Sequence, residues 1–311
     1  MTTPGTIMAA ITYTTQLLNG ILMLVMLFQN ISRGLASWKR IKEILNSKSD
    51  LPDGNFDGKT EPHGQIEFRN VSFAYPESNQ TILKNINLTI TPGETIAIMG
   101  ATGCGKSSLI NLIPRFYDVT EGAVLVDGVD VRSYNQKALR DKIAIALQKS
   151  ELFSVPIRDN ILWGKPGASD EAIVQAATIA QADKFIQSAP DGYRTMVAER
   201  GMSLSGGQKQ RVSISRAVIK NAEILIFDDS TSALDLKTEA DLYAALKETN
   251  PNSTKVIVAQ RISSVRRADR IVVLDNGSIS ACGTHEELLE HCKTYRDIYD
   301  SQMGEEGENN G

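Results

Sequence analysis

Cysteine is scarce in this 311-residue chain, and the three present, Cys104, Cys282 and Cys292, are far apart and odd in number. That excludes a disulfide framework and any paired-cysteine zinc pattern, and it points to a reduced, cytosolic catalytic domain. Basic residues do not dominate either: 33 Lys and Arg stand against 37 Asp and Glu, for a formal net charge of −4. A nucleic-acid binder would carry a basic stripe, so no nucleic-acid partner is expected. Aromatics are few and no internal repeat is evident. With 41% apolar residues the chain holds enough material for a buried core, so its bulk is neither fibrous nor disordered.

One region lacks charge altogether. No Asp, Glu, Lys, Arg or His precedes Arg33, and Ile7 to Ile31 is a mainly apolar run of 25 residues. About 20 such residues span a bilayer. Arg33, Lys39, Arg40 and Lys42 follow, with Trp38 among them. Basic residues mark the cytoplasmic side and Trp suits the interface, so the helix would run from outside to inside. A signal peptide would place its positive region before the apolar run. A buried helix of a soluble domain is the other alternative. Thr12, Thr14, Thr15, Gln16, Asn19 and Gln29 make the run only moderately apolar, which suits a helix packed among other membrane helices.

Residues 1–45 therefore read as a membrane helix with its cytoplasmic extension. Residues 46–63 are rich in Gly, Pro, Asp and Lys without periodicity and read as a linker. From 64 to 303 the pattern is α/β. Short wholly apolar runs at Ile96–Met99, Ile224–Phe227, Val256–Ala259 and Ile271–Leu274 suit central parallel strands covered on both faces. Ile86, Leu88 and Ile90 alternate with polar residues, and Asp127-Gly128 ends Val124–Val126 as a hairpin-type turn. Helices are expected over Glu171–Ala182, capped by Ser169 or Asp170, over Lys209–Lys220, over Leu236–Thr249 and near His285–Gln302. The polar, glycine-rich tail 304–311 is expected to lack fixed structure.

Three motifs carry chemistry. Gly100-Ala101-Thr102-Gly103-Cys104-Gly105-Lys106-Ser107, with Ser108 next, lies between a strand and a helix and has P-loop spacing. Its glycines let backbone N–H groups turn inward around phosphate oxygens, and the helix N-terminus adds partial positive charge. Lys106 would reach the β- and γ-phosphates of ATP, and the Ser107 hydroxyl would bind Mg2+. Asp228 ends a buried strand, where P-loop enzymes hold magnesium, and Asp229 would point toward the nucleotide. Third, Ser205-Gly206-Gly207-Gln208 opens a helix and exposes its first N–H groups, a second anion site. A chain with one P-loop needs no second phosphate site of its own, so this one suits the nucleotide of another subunit.

At this point the sequence resembles the ATP-binding cassette (ABC) family, whose signature is Leu204-Ser205-Gly206-Gly207-Gln208. The resemblance implies further roles. Tyr75, in Phe73-Ala74-Tyr75, is similar to the aromatic that stacks on adenine. Gln148, after the strand Ile143–Leu147, resembles the glutamine that touches magnesium and senses the transmembrane part. Ala198-Glu199-Arg200-Gly201 resembles an exporter-specific loop, and Asp235 closes a segment similar to the D-loop that crosses the dimer interface. Residues 1–45 resemble the last transmembrane helix of an exporter half-transporter. Such subunits carry several such helices, so a fragment or partial gene product is expected, and drug, lipid and peptide export all stay open. The fold implied is a P-loop core with a mostly parallel sheet, an antiparallel β subdomain and a helical signature subdomain.

Two positions depart from that family. The residue after the magnesium Asp is usually Glu, which polarises the attacking water; here it is Asp229, one methylene shorter. Misplacing a catalytic group by about 1 Å costs on the order of 10²-fold in rate. The switch position, usually His, is Gln260, whose amide can bond a γ-phosphate but carries no positive charge. Asp229, Gln260 and Gln148 are the candidate catalytic residues. A weakened half-site with an intact signature resembles one subunit of a heterodimeric exporter, whose partner would supply Glu and His opposite Ser205–Gln208. Alternatives are a slow homodimer, a regulatory subunit, and a soluble cassette ATPase acting on DNA or ribosomes, which would carry a second cassette or basic arms.

Overall fold

A computed structural model describes residues 3–47, 51–61, 63–76, 78, 80–149 and 151–308. The chain divides into two units, 1–52 and 53–311. The first is one helix, α1 (Pro4–Asn46), with proline at its start, where a missing N–H costs nothing. The hydroxyls of Thr12, Thr14 and Thr15 donate to the carbonyls of Met8, Ala10 and Ile11 at 2.7–2.9 Å. Polar side chains satisfied in this way tolerate an apolar setting. The helix is long and apolar enough to cross a membrane. At 1.5 Å per residue its 43 residues reach about 65 Å, roughly twice the hydrocarbon core.

The second unit is built on two sheets. The smaller is antiparallel, in the order β2-β1-β4-β5. It comprises β1 (Ile66–Ala74), β2 (Thr81–Ile90), β4 (Glu121–Val126) and β5 (Val129–Asp130). The larger runs β10-β9-β3-β8-β7-β6. It comprises β3 (Thr95–Met99), β6 (Ile143–Ala146), β7 (Ile224–Asp228), β8 (Thr254–Val258), β9 (Arg270–Asp275) and β10 (Ser278–Gly283). Its strands are parallel except for the β9–β10 edge pair. The helices are α2 (Lys106–Leu112), α3 (Gln136–Asp141), α4 (Ile157–Leu162), α5 (Asp170–Ile179) and α6 (Asp183–Gln187). They continue with α7 (Gly206–Val218), α8 (Leu236–Thr249), α9 (Ile262–Val265), α10 (His285–His291) and α11 (Lys293–Glu308).

The apolar strand runs are explained by two cores, one on each face of the parallel sheet. Ile96, Ile98, Ile224, Ile226, Val256 and Val258 pack with the antiparallel sheet and α2. The alternate residues Ala97, Met99, Leu225, Phe227 and Ile257 pack with α4, α5, α7 and α8. Period-two alternation sends neighbours to opposite faces, so a strand covered twice has no polar side.

Three boundaries differ from the pattern-based expectation. The compact unit starts at Asp53, inside the stretch expected to be linker. The Asp53 carboxylate accepts from the Gln136 amide at 2.6 Å, Gly54 and Phe56 pair with the Ser133–Tyr134 backbone, and Phe56 stands edge-on to Tyr134. The helix expected over Glu171–Ala182 ends at Ile179, and Gln181 turns through a left-handed backbone (φ 58°) before α6. The C-terminal helix is broken at Cys292, whose backbone is extended, and α11 then runs to Glu308, into the expected tail. Residues 309–311 of that tail lie outside the described residues.

Candidate functional site

Because β3, β6, β7 and β8 are parallel, their following loops gather at one edge of the sheet, where α/β proteins bind ligands. With the end of β1 they enclose a cavity of about 310 Å³. Tyr75, Thr102, Gly103, Gly105, Lys106, Ser107, Ser108, Gln148, Asp228, Asp229 and Gln260 line it. Residues separated by up to 185 positions are thus brought to one place.

The loop 100–105 links β3 to α2. Glycine is required at its start: a Cβ on Gly100 would lie 2.1 Å from the Leu274 carbonyl oxygen. The Lys106 ammonium curls back to donate to the carbonyls of Gly100 and Ala101 at 2.8 and 2.9 Å. Its Nζ also lies 3.9 Å from the sulfur of buried Cys104. Gly100, Ala101 and Cys104 do not line the cavity; they support the loop that does. The Tyr75 hydroxyl pairs with the Ser108 hydroxyl at 2.9 Å, and its ring meets Phe73 and Tyr117 edge-on. The aromatic is therefore held at the cavity's rim by three contacts.

Opposite the lysine, the Ser107 hydroxyl donates to Asp228 at 3.1 Å. Asp229 takes a left-handed backbone (φ 47°), which Asp tolerates better than most residues. Its carboxylate faces different partners from that of Asp228: Gln148 Nε2 and Gln260 Nε2 both donate to Asp229 Oδ2 at 3.2 Å. Burial raises the pKa of both carboxyls, against the lowering pull of Ser107 on one and of Gln148 on the other. A serine hydroxyl, a carboxylate and an amide oxygen on one cavity wall form a hard oxygen donor set, which fits Mg2+ with several retained waters.

The signature residues stand elsewhere. Ser205 and Gln208 form a capping box on α7, with Ser205 N–H to Gln208 Oε1 at 2.9 Å. A Cβ on Gly207 would meet the Ala233 carbonyl oxygen at 2.8 Å, so glycine allows α7 to approach the loop after β7. Asp235 caps α8 through the Thr238 N–H at 2.9 Å. None of Ser205, Gly206, Gly207, Gln208 or Asp235 lines the cavity. Glu199–Gly201 form a 3-10 turn; the Arg200 side chain lies outside the described residues. Pattern reading missed Gln210, buried in α7, which donates to Ser232 Oγ at 3.0 Å and accepts from Ala233 N–H at 2.9 Å. It also missed Arg261, which donates to the carbonyls of Ser232 and Leu234. A polar residue at a buried helix position was the available signal for Gln210.

Fold and cavity together define a P-loop nucleotide-binding domain. Residues 83–232 match the ABC transporter family, and the chain carries the ATP-binding domain of that ATPase family. It is 42% identical over 301 residues to "Putative multidrug export ATP-binding/permease protein YgaD" of Bacillus subtilis (strain 168), covering 96% of this chain and 52% of that protein. It is 42% identical over 304 residues to the uncharacterized ABC transporter ATP-binding protein YfiB of the same strain, covering 97% and 52%. Among solved structures, an ATP-bound bacterial Atm1-family ABC exporter superposes with a TM-score of 0.84 at 36% identity, covering 94% of this chain and 51% of that one. The chain thus spans about half the length of the curated relatives it matches.

Proposed function

We propose that this chain is the ATP-binding and ATP-hydrolysing end of a membrane exporter subunit, with a hydrolytically weak half-site of its own and a signature that completes the site of a partner. α1 would cross the membrane and leave the nucleotide domain on the cytoplasmic side. The transported substrate would be a small molecule, lipid or peptide. Exporter-type relatives and the apolar helix support the membrane part of this reading.

The observation that carries the half-site is the shared carboxylate oxygen of Asp229, bonded by the amides of Gln148 and Gln260. In this role Tyr75 stacks on adenine, the 100–108 backbone and Lys106 hold the phosphates, and Gln260 faces the γ-phosphate. Ser107, Asp228 and Gln148 would hold Mg2+, which neutralises charge on the phosphates when bound. Asp229 would orient the attacking water, but its short side chain and two amide donors keep it back toward its own wall. Ser205–Gln208 and Asp235, away from the cavity, would lie over ATP held by a second half-transporter, in a heterodimer whose other subunit supplies the longer acid and the histidine.

Steady-state ATP hydrolysis by the full chain, at concentrations high enough for weak dimers, tests this against the double variant Asp229→Glu, Gln260→His. The expected result is nucleotide binding in both and a rise in kcat of roughly 10²-fold in the variant. A native chain that is already fast, with no gain in the variant, would replace the heterodimer with a homodimeric exporter.

A further inference from the structure

The C-terminal helix reaches the main chain beside the cavity through Gln302. Gln260 and Arg261 end the short connection from β8 to α9, whose first residue is Ile262. Gln302 on α11 grips the main chain on both sides of that arginine. Its Nε2 donates to the Gln260 carbonyl at 2.8 Å, and its Oε1 accepts from the Ile262 N–H at 2.8 Å. The amide's orientation is fixed by these partners, since the reverse would set donor against donor and acceptor against acceptor.

Gln302 stands on a firmly seated element. Tyr295, Ile298, Tyr299 and Gln302 fall at i, i+3, i+4 and i+7, one face of α11. Tyr295 is fully buried and its hydroxyl pairs with His285 Nδ1 at 2.7 Å. Arg296 donates to the carbonyls of Leu289 and Glu290 at 2.8 and 2.6 Å. On the other side of the connection, Arg261 holds the carbonyls of Ser232 and Leu234. The Gln260 side chain is therefore presented to Asp229 from a backbone braced on two sides.

We infer that Gln302 is a positioning residue for the γ-phosphate side of the site: it holds the Gln260 backbone so that the Gln260 amide faces the cavity. The inference rests on the nucleotide reading above. The α- and β-phosphates are held by the 100–108 loop, which Gln302 does not touch, so the brace acts only where a third phosphate would lie. Its loss lowers the preference for a triphosphate over a diphosphate and leaves diphosphate affinity alone. A purely structural role would weaken both ligands together.

The test uses the full chain, Gln302→Met, which keeps length and apolar packing while removing both hydrogen bonds, and Gln302→Glu, which keeps only the acceptor toward Ile262. Affinities for ADP and for the β,γ-imido analogue of ATP are measured with magnesium. Gln302→Met is expected to reduce the analogue-to-ADP preference about three- to tenfold, the effect of one or two lost hydrogen bonds, with ADP affinity unchanged. Gln302→Glu, which sets a carboxylate oxygen against the Gln260 carbonyl, is expected to reduce it at least as much. A change in the ratio below threefold in Gln302→Met overturns the inference. If that variant fails to fold, an unchanged ratio in Gln302→Glu overturns it instead. Amide exchange at Ile262 separates the two readings. If the native chain binds neither nucleotide, the nucleotide reading fails, and Ile262 exchange then decides the brace. About tenfold faster exchange in Gln302→Met supports it, and unchanged exchange rejects it.

Discussion

Two clusters in the second unit set a buried lysine near carboxylates, and they are built to opposite ends. In one, the Lys142 ammonium touches Asp127 at 2.8 Å and Glu223 at 2.7 Å and also donates to Thr60. Burial alone would lower its pKa, but the two acids overcome that and raise it. The Asp127 side chain is 0% exposed and its second oxygen accepts from the N–H groups of Gly64 and Gln65. In the other, Lys106 bonds to the backbone carbonyls of Gly100 and Ala101 and lies 3.9 Å from the Cys104 sulfur, while neighbouring Asp228 and Asp229 sit with raised pKa values. The first cluster sets one lysine between two carboxylates and ties Thr60, the end of the antiparallel sheet and the start of the parallel strands together. In the second, the lysine is held by its own loop and the acids by Ser107, Gln148 and Gln260; under the proposed function these groups would meet phosphate and a cation.

The sharpest way to break the comparison is to remove each lysine. Lys142→Met leaves Asp127 buried without its cation and is expected to cost about 3–5 kcal/mol in urea unfolding of the free chain. Its folded fraction should bind ADP as the native chain does. Lys106→Ala should do the reverse: ADP affinity, by fluorescence titration, falls on the order of 10²-fold, while unfolding free energy moves by less than about 1 kcal/mol. Equal effects of the two substitutions on stability would erase the distinction.

A smaller effect sharpens it further. A carboxyl whose pKa is raised by folding stabilises the chain below its unfolded value and loses that contribution as pH rises through the folded value. Asp228 and Asp229 are such groups, so the free chain should lose stability across the range just above ordinary carboxylate pKa values. Asp228→Asn removes part of that decline and is expected to raise Tm near neutral pH by roughly 2–4 °C. Asp127→Asn, which takes one of its two carboxylates from Lys142, should lower it. Thermal scans of both variants across the acid range check the two signs.

Much of this was legible beforehand. The strand runs at 96–99, 224–227 and 256–259 declared a doubly covered sheet because burial on both faces leaves no polar alternation. Gly100 to Ser107 declared a tight strand-to-helix turn, because such turns and helix starts demand particular residues at particular offsets. The 46–63 stretch reads as linker because composition records only its turn-forming residues, whereas Asp53, Phe56 and Thr60 within it meet partners far along the chain.

The sequence by itself determined the kind of fold and the chain order of the candidate segments, Gly100–Ser108, Asp228–Asp229 and Gln260 among them. Tertiary structure decided what those residues touch. Asp229 meets Gln148 across 81 positions and Gln260 across 31, and Gln302 reaches the Gln260 backbone across 42. Periodicity and turn chemistry are local, so they leave a mark in the sequence. A hydrogen bond between distant residues depends on how sheets and helices pack, and no spacing rule announces it.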